Sequence, residues 1–230
     1  MHIGILQTGH SPEELREDIG DYTQMFQRLL KGRGFSFSTW DVVDMAFPAS
    51  VEAADGWLIS GSKHGAYEDH PFIPPLEDFI REAHAGKRPM IGICFGHQII
   101  AQALGGKVEK FPGGWSVGRQ EYDFGGNKLA LNAWHQDQVT RRPEGAKLEA
   151  SSEFCENAAL SYGGHIFTLQ PHPEFDEAMI DGLIRYRAPG LVPPPLIEQA
   201  SQGLAQGTDS DLMARRMAEF FINARQDAHV

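Results

Sequence analysis

Of the two cysteines in the chain, one sits where a thiol could act as a nucleophile. Gly92-Ile93-Cys94-Phe95-Gly96-His97-Gln98 follows the apolar run Met90-Ile91 and leads into Ile99-Ile100-Ala101, so it reads as a buried strand entering a helix with Cys94 at the junction. A sharp turn of that kind exposes its central side chain above the sheet, and flanking glycines let the neighbouring elements approach. A helix N-terminus also favours the thiolate, the reactive form of cysteine. The plain alternative is a cysteine that only packs in a tight turn.

A cysteine nucleophile generally needs a base held in one tautomer by a carboxylate. Among ten histidines, His172 stands in Leu169-Gln170-Pro171-His172-Pro173-Glu174-Phe175, where prolines stiffen the backbone on both sides. Glu174, two residues on, projects to the same side of an extended stretch and can reach the imidazole. Read alone, this segment could be no more than a strand terminator. Cys94, His172 and Glu174 together make a candidate triad. His97, His135 and His172 show no metal-ligand spacing with one another or with Cys94, so no metal site and no cofactor are expected.

These residues need a sheet to bring them together, and the first hundred residues supply its pattern. Strands are expected at His2–Gln7, Ser36–Val43, Gly56–Ser60 and Pro89–Ile93, with helices at Tyr22–Lys31 and Leu76–Ala85. Alternation of this kind means an α/β fold, a mostly parallel central sheet flanked by helices, with ligands bound beside the carboxyl ends of the strands. From Lys107 the texture is strand-rich: Trp115–Phe124, Lys128–Ala133, Lys147–Ala150, Ala158–Tyr162 and His165–Gln170 read as strands, forming a small antiparallel addition. Phe175–Arg187 returns to helix, Pro193-Pro194-Pro195 is expected to break the chain, and a last amphipathic helix from Asp209 to about Arg225 follows Thr208 as its cap. Residues 1–230 thus read as a single domain with a helical extension from about residue 190, fraying over Asp227-Ala228-His229-Val230.

Composition narrows the function class. With 20 basic and 31 acidic residues the net charge is -11, which repels phosphate backbones and anionic membrane surfaces, so neither nucleic acid nor membrane is an expected partner. No apolar run approaches the roughly 20 residues that span a bilayer, and so few cysteines suit a reducing compartment; a cytoplasmic protein is expected.

The stretches Gly92–Gln98 and Gln170–Glu174, in this order and each after a strand, resemble the class I (triad) glutamine amidotransferases, in particular the glutaminase domain of GMP synthase and its stand-alone relatives. The likeness runs from Ile3 to about Arg187 and implies the family's flavodoxin-like fold. It further implies that Cys94 attacks the side-chain amide of glutamine, that His172 moves the proton, and that a γ-glutamyl thioester is hydrolysed. Leu58-Ile59-Ser60-Gly61-Ser62 stands where the family has its oxyanion loop, which implies an oxyanion hole from Gly61 and the backbone N–H groups of Ser62 and Phe95. By the same resemblance Gln98, Trp134, His135 and Asp137 hold the ends of the substrate.

The chain departs from the pattern in two places. Gly61-Ser62-Lys63 replaces the usual Gly-Gly-Pro, and Trp134-His135-Gln136-Asp137 replaces Ser-His-Gly-Asp. No P-loop or other nucleotide-binding stretch accompanies the motifs. Three functions therefore stand side by side: a glutaminase that supplies ammonia to a synthase subunit, a stand-alone hydrolase of γ-glutamyl peptides or amines, and a non-catalytic regulatory subunit.

Overall fold

The computed structural model describes residues 1–227; the fraying expected at the C-terminus falls largely on 228–230, outside the described residues. In chain order the elements are β1 (His2–Leu6), α1 (Glu13–Ile19), α2 (Tyr22–Leu29), β2 (Ser36–Trp40), β3 (Gly56–Ile59), α3 (Ile73–Ala85), β4 (Met90–Ile93) and α4 (Phe95–Ala103). There follow β5 (Lys107–Lys110), β6 (Ser116–Phe124), β7 (Asn127–His135), β8 (Asp137–Arg141), β9 (Lys147–Ala150), β10 (Ala159–Tyr162) and β11 (Ile166–Leu169). Three helices close the chain: α5 (Glu177–Tyr186), α6 (Pro194–Gly203) and α7 (Ser210–Asp227).

Strands β2-β1-β3-β4-β11-β10-β9 form a seven-stranded sheet in that order. The pairs from β2 through β11 are parallel, and β10 and β9 add on antiparallel. Two antiparallel ribbons, β5–β8 and β6–β7, supply the strand-rich addition. The strands expected there at Lys147–Ala150, Ala158–Tyr162 and His165–Gln170 instead join the central sheet as β9, β10 and β11, because β11 pairs with β4 across a long stretch of chain and carries β10 and β9 with it. Side chains alternate across the central strands, as period-two geometry requires. Ile3, Ile5, Leu58, Ile91 and Ile93 face a core with Phe26 of α2, Met179 of α5 and Phe221 of α7. Leu6, Trp57, Ile59 and Met90 face a second core with Leu76 and Ile80 of α3 and Ile99 and Ile100 of α4. Helices therefore cover both faces, and β4 lies in the middle with its C-terminal end free for chemistry.

Proline placement accounts for two differences from the sequence expectation. Helix α3 begins at Ile73, not Leu76, because Pro74 and Pro75 fit a first turn whose N–H groups have no intrahelical partner. For the same reason Pro193-Pro194-Pro195 starts helix α6 where a break was expected. The strand expected through Val43 stops at Trp40 and turns into a short 3₁₀ segment at Val42–Asp44. Helix α1 and strands β5 and β8 carry too little apolar periodicity to stand out in the sequence. Thr208 does not cap α7 as expected; its hydroxyl meets that of Ser210 at 2.9 Å, while Met213 N–H donates to the Asp209 carbonyl at 3.0 Å. No helix is long and apolar enough to cross a membrane among the described residues.

Phe221 fixes α7 to the sheet: it is fully buried and packs edge-on against Phe35 with ring centroids 5.9 Å apart. Phe221→Ala is expected to lower the free energy of unfolding by about 3–5 kcal/mol in urea denaturation. A change no larger than that of a surface substitution would show that α7 contributes little to the core.

Candidate active site

Cys94 links β4 to α4 with φ 53° and ψ -101°, a backbone conformation that residues with a side chain rarely adopt. The surroundings enforce it. A Cβ on Gly92 would lie 2.5 Å from the Gly96 carbonyl oxygen, and one on Gly96 would lie 2.3 Å from the Ile59 carbonyl oxygen. Both glycines flanking Cys94 are therefore required by close approach of backbone to backbone. Cys94 N–H donates to the Leu169 carbonyl at 2.8 Å and Gly96 N–H to the Ser60 carbonyl at 3.1 Å, so β3 and β11 clamp the turn from both sides.

Strand β11, next to β4, delivers His172. Its N–H donates to the Asn132 carbonyl at 2.8 Å, tying the Pro-His-Pro segment to β7, and the Asn132 side-chain amide donates to the Phe175 carbonyl at 2.9 Å. The imidazole lies flat against Phe175, ring centroids 3.9 Å apart and planes 4° from parallel. Its Nδ1 donates to Glu174 Oε1 at 2.7 Å, with both side chains almost wholly buried. A Cβ on Gly61 would lie 3.0 Å from His172 Cε1 and 3.8 Å from Cys94 Cβ, so Gly61 abuts both residues. Burial opposes charge on His172, but Glu174 and the Cys94 sulfur outweigh it and push its pKa up to about 10.

The other expected site residues distribute unevenly around this centre. The N–H groups of Ser62 and Phe95 enter no hydrogen bond among the described residues. Gln98 is 2% exposed, and its amide nitrogen donates to the Asp137 carbonyl at 3.0 Å and to Gln170 Oε1 at 3.1 Å. His135 is 4% exposed, and its Nδ1 meets the Asp137 carbonyl at 3.2 Å. Burial and the neighbouring His172 push the His135 pKa down to about 3, which leaves the ring neutral. His97 is likewise pushed down to about 3, by burial and then by His135, and pairs with the Thr168 hydroxyl at 2.8 Å. Asp137 is half-buried and accepts from the Tyr67 hydroxyl at 3.2 Å. Trp134 packs partly buried between the central core and a small cluster with Val117 and Ile197.

The sequence alone leaves three participants unassigned. Gln170 donates its amide N–H to Cys94 Sγ at 3.5 Å, which joins Gln98 to the thiol through one intermediary. It stood inside the Gln170–Glu174 stretch, so its place was a usable signal. Asn132 and Phe175 orient His172 from elements whose approach no spacing reveals.

The class-I glutamine amidotransferase family model matches residues 17–182. The chain belongs to that family. γ-Glutamyl peptidase 4 of Arabidopsis thaliana is 34% identical over 75% of this chain and 75% of its own length, and γ-glutamyl peptidase 3 of the same plant is 31% identical over 73% and 74%. A GMP synthase of Pyrobaculum aerophilum is 32% identical over 67% of this chain but only 31% of its own length. The solved glutamine amidotransferase of Methylobacillus flagellatus shares the fold with a TM-score of 0.77 at 23% identity, covering 98% of this chain and 94% of its own.

A raised His172 pKa has a definite sign in stability. Its charge contributes fully below the ordinary value of 6.5, and the contribution is lost as pH rises through about 10. The difference in unfolding free energy between the native chain and His172→Gln, followed by urea denaturation across that window, should narrow as pH rises. A difference that widens with pH would contradict the assignment of charge to His172.

Proposed function

We propose that the chain hydrolyses γ-glutamyl amides through a Cys94–His172–Glu174 triad, with L-glutamine as donor and glutamate and ammonia as products. One observation carries this reading: the strained thiol turn and the buried His172–Glu174 pair meet around Gly61, with Gln170 on the sulfur. The Cys94 thiolate attacks the side-chain amide carbon, forming a C–S bond and a tetrahedral oxyanion. The N–H groups of Ser62 and Phe95 receive that oxyanion, being donors with no acceptor among the described residues. His172 gives its proton to the departing nitrogen as the C–N bond breaks, leaving a γ-glutamyl thioester and ammonia. It then takes a proton from water, whose oxygen attacks the thioester carbon; the C–S bond breaks, glutamate leaves, and the Cys94 thiolate and protonated His172 are restored.

Gln98, His135, Asp137 and Trp134 play graded parts in this proposal. Gln98 is a positioning residue for Gln170 and the thiol, since its amide nitrogen is engaged internally. Asp137 and Trp134, less buried, shape the end of the site that holds the α-amino and α-carboxylate groups, with neutral His135 supporting Asp137 from behind. Ammonia from glutamine would be taken up by a synthase subunit, in keeping with the alignment to part of a GMP synthase.

A second reading keeps the triad and replaces ammonia with an amino acid or amine as leaving group. It is favoured by the peptidase relatives, which match over about three quarters of their own lengths. Ammonia and glutamate release from L-glutamine, measured beside a panel of γ-glutamyl dipeptides, separates the two. Cys94→Ala should lower kcat/KM by about four orders of magnitude or more while the fold is kept. Turnover of peptides alone selects the second reading, and undiminished turnover by folded Cys94→Ala removes both.

A further inference from the structure

We propose that His64, Glu68 and His70 form a binding site for a zinc-class divalent ion in the loop that leads from Ser62 to α3. This site is separate from the triad chemistry and uses none of the histidines weighed for metal binding in the sequence. The loop folds back on itself through Glu68 N–H to the Gly65 carbonyl at 3.0 Å and His70 N–H to the Glu68 carbonyl at 3.1 Å, and this brings the three side chains together. Glu68 Oε2 lies 2.8 Å from His70 Nε2 and 3.6 Å from His64 Nδ1, and one donor atom from each residue lies within 4.8 Å of the other two.

Bond lengths of about 2.0–2.2 Å in a tetrahedral zinc site separate donors by roughly 3.3–3.5 Å, so small side-chain movements convert this cluster into a coordination shell. Two imidazoles and one carboxylate suit zinc and its neighbours, whereas magnesium and calcium prefer oxygen donors alone. Three protein ligands leave a fourth position for water or a ligand group.

The cluster is supported as well as assembled. The His64 and His70 rings lie 4.0 Å apart by centroid, and His70 stacks on Phe72 at 5.9 Å with planes 19° apart. Phe72 is buried and packs against Phe95, the residue after Cys94, at 6.0 Å. At the other end of the loop Ser62 Oγ accepts from His64 N–H at 3.2 Å. A bound ion would therefore fix a loop that starts beside Gly61, which abuts Cys94, and ends at Phe72, which packs on Phe95. The ligand side chains are 21%, 45% and 32% exposed for His64, Glu68 and His70, which leaves the site open to an ion from solution.

Titration of the full chain with zinc chloride by calorimetry tests the site. The expected result is one zinc per chain, retained in Cys94→Ala and in His84→Ala, and weakened at least about tenfold in His64→Ala and in His70→Gln. His64 and His70 lie in the loop and their rings meet the core at Phe72, and circular dichroism verifies the fold of each variant. No zinc binding, or binding lost in Cys94→Ala and intact in His70→Gln, would overturn the proposal, the second result placing the ion on the thiol.

Discussion

The site depends on a turn with no room in it. Cys94 holds a positive φ because the chain must pass from the centre of the sheet into α4 while backbone approaches backbone within van der Waals contact. Strain of that kind persists only where the surroundings over-determine it. Here Leu169 of β11 and Ser60, just past β3, do so by accepting hydrogen bonds from the N–H groups of Cys94 and Gly96, and Gly92 and Gly96 make the approach sterically feasible. A central, parallel β4 is the consequence: only a strand with a hydrogen-bonded neighbour on each side can be clamped in this way.

The second requirement is charge in a dry place. His172 is buried against Phe175, and burial by itself would drive its proton off. Glu174 on Nδ1 and the sulfur of Cys94 reverse that outcome, so burial strengthens the pairing that makes the ring useful. The order of strands then acquires a chemical meaning. Because β11 lies directly beside β4, the residues after each strand emerge at the same edge, and a ribbon strand, β7, holds the Pro-His-Pro segment from outside the sheet.

Much of this arrangement was legible in the sequence for identifiable reasons. The apolar run Met90–Ile93 is buried on both faces, as a parallel strand must be. Ile166–Leu169 is buried in the same way, yet it reads in the sequence as part of the antiparallel half, because its parallel pairing with β4 joins segments far apart in the chain. Gly92, Cys94 and Gly96 disclosed the turn because no other residue fits the two outer positions. What stayed hidden was set by long-range approach. Lys107–Lys110 buries one valine and pairs only with a distant strand. Gln98 reads as a substrate residue by its motif, yet its amide nitrogen turns inward to Gln170, a pairing that appears only once β4 and β11 are neighbours. The prolines at 193–195 misled because a residue without an N–H can either end a helix or begin one.

The central claim is that Cys94 is the nucleophile toward a γ-glutamyl carbonyl, and covalent trapping tests it most directly. Incubation with an electrophilic diazo-ketone analogue of glutamine, followed by intact mass and peptide mapping, should give one adduct per chain on Cys94, with its formation slowed by glutamine or by a γ-glutamyl peptide. No adduct on the folded protein, or an adduct on Cys155 with Cys94 unmodified, would contradict the account.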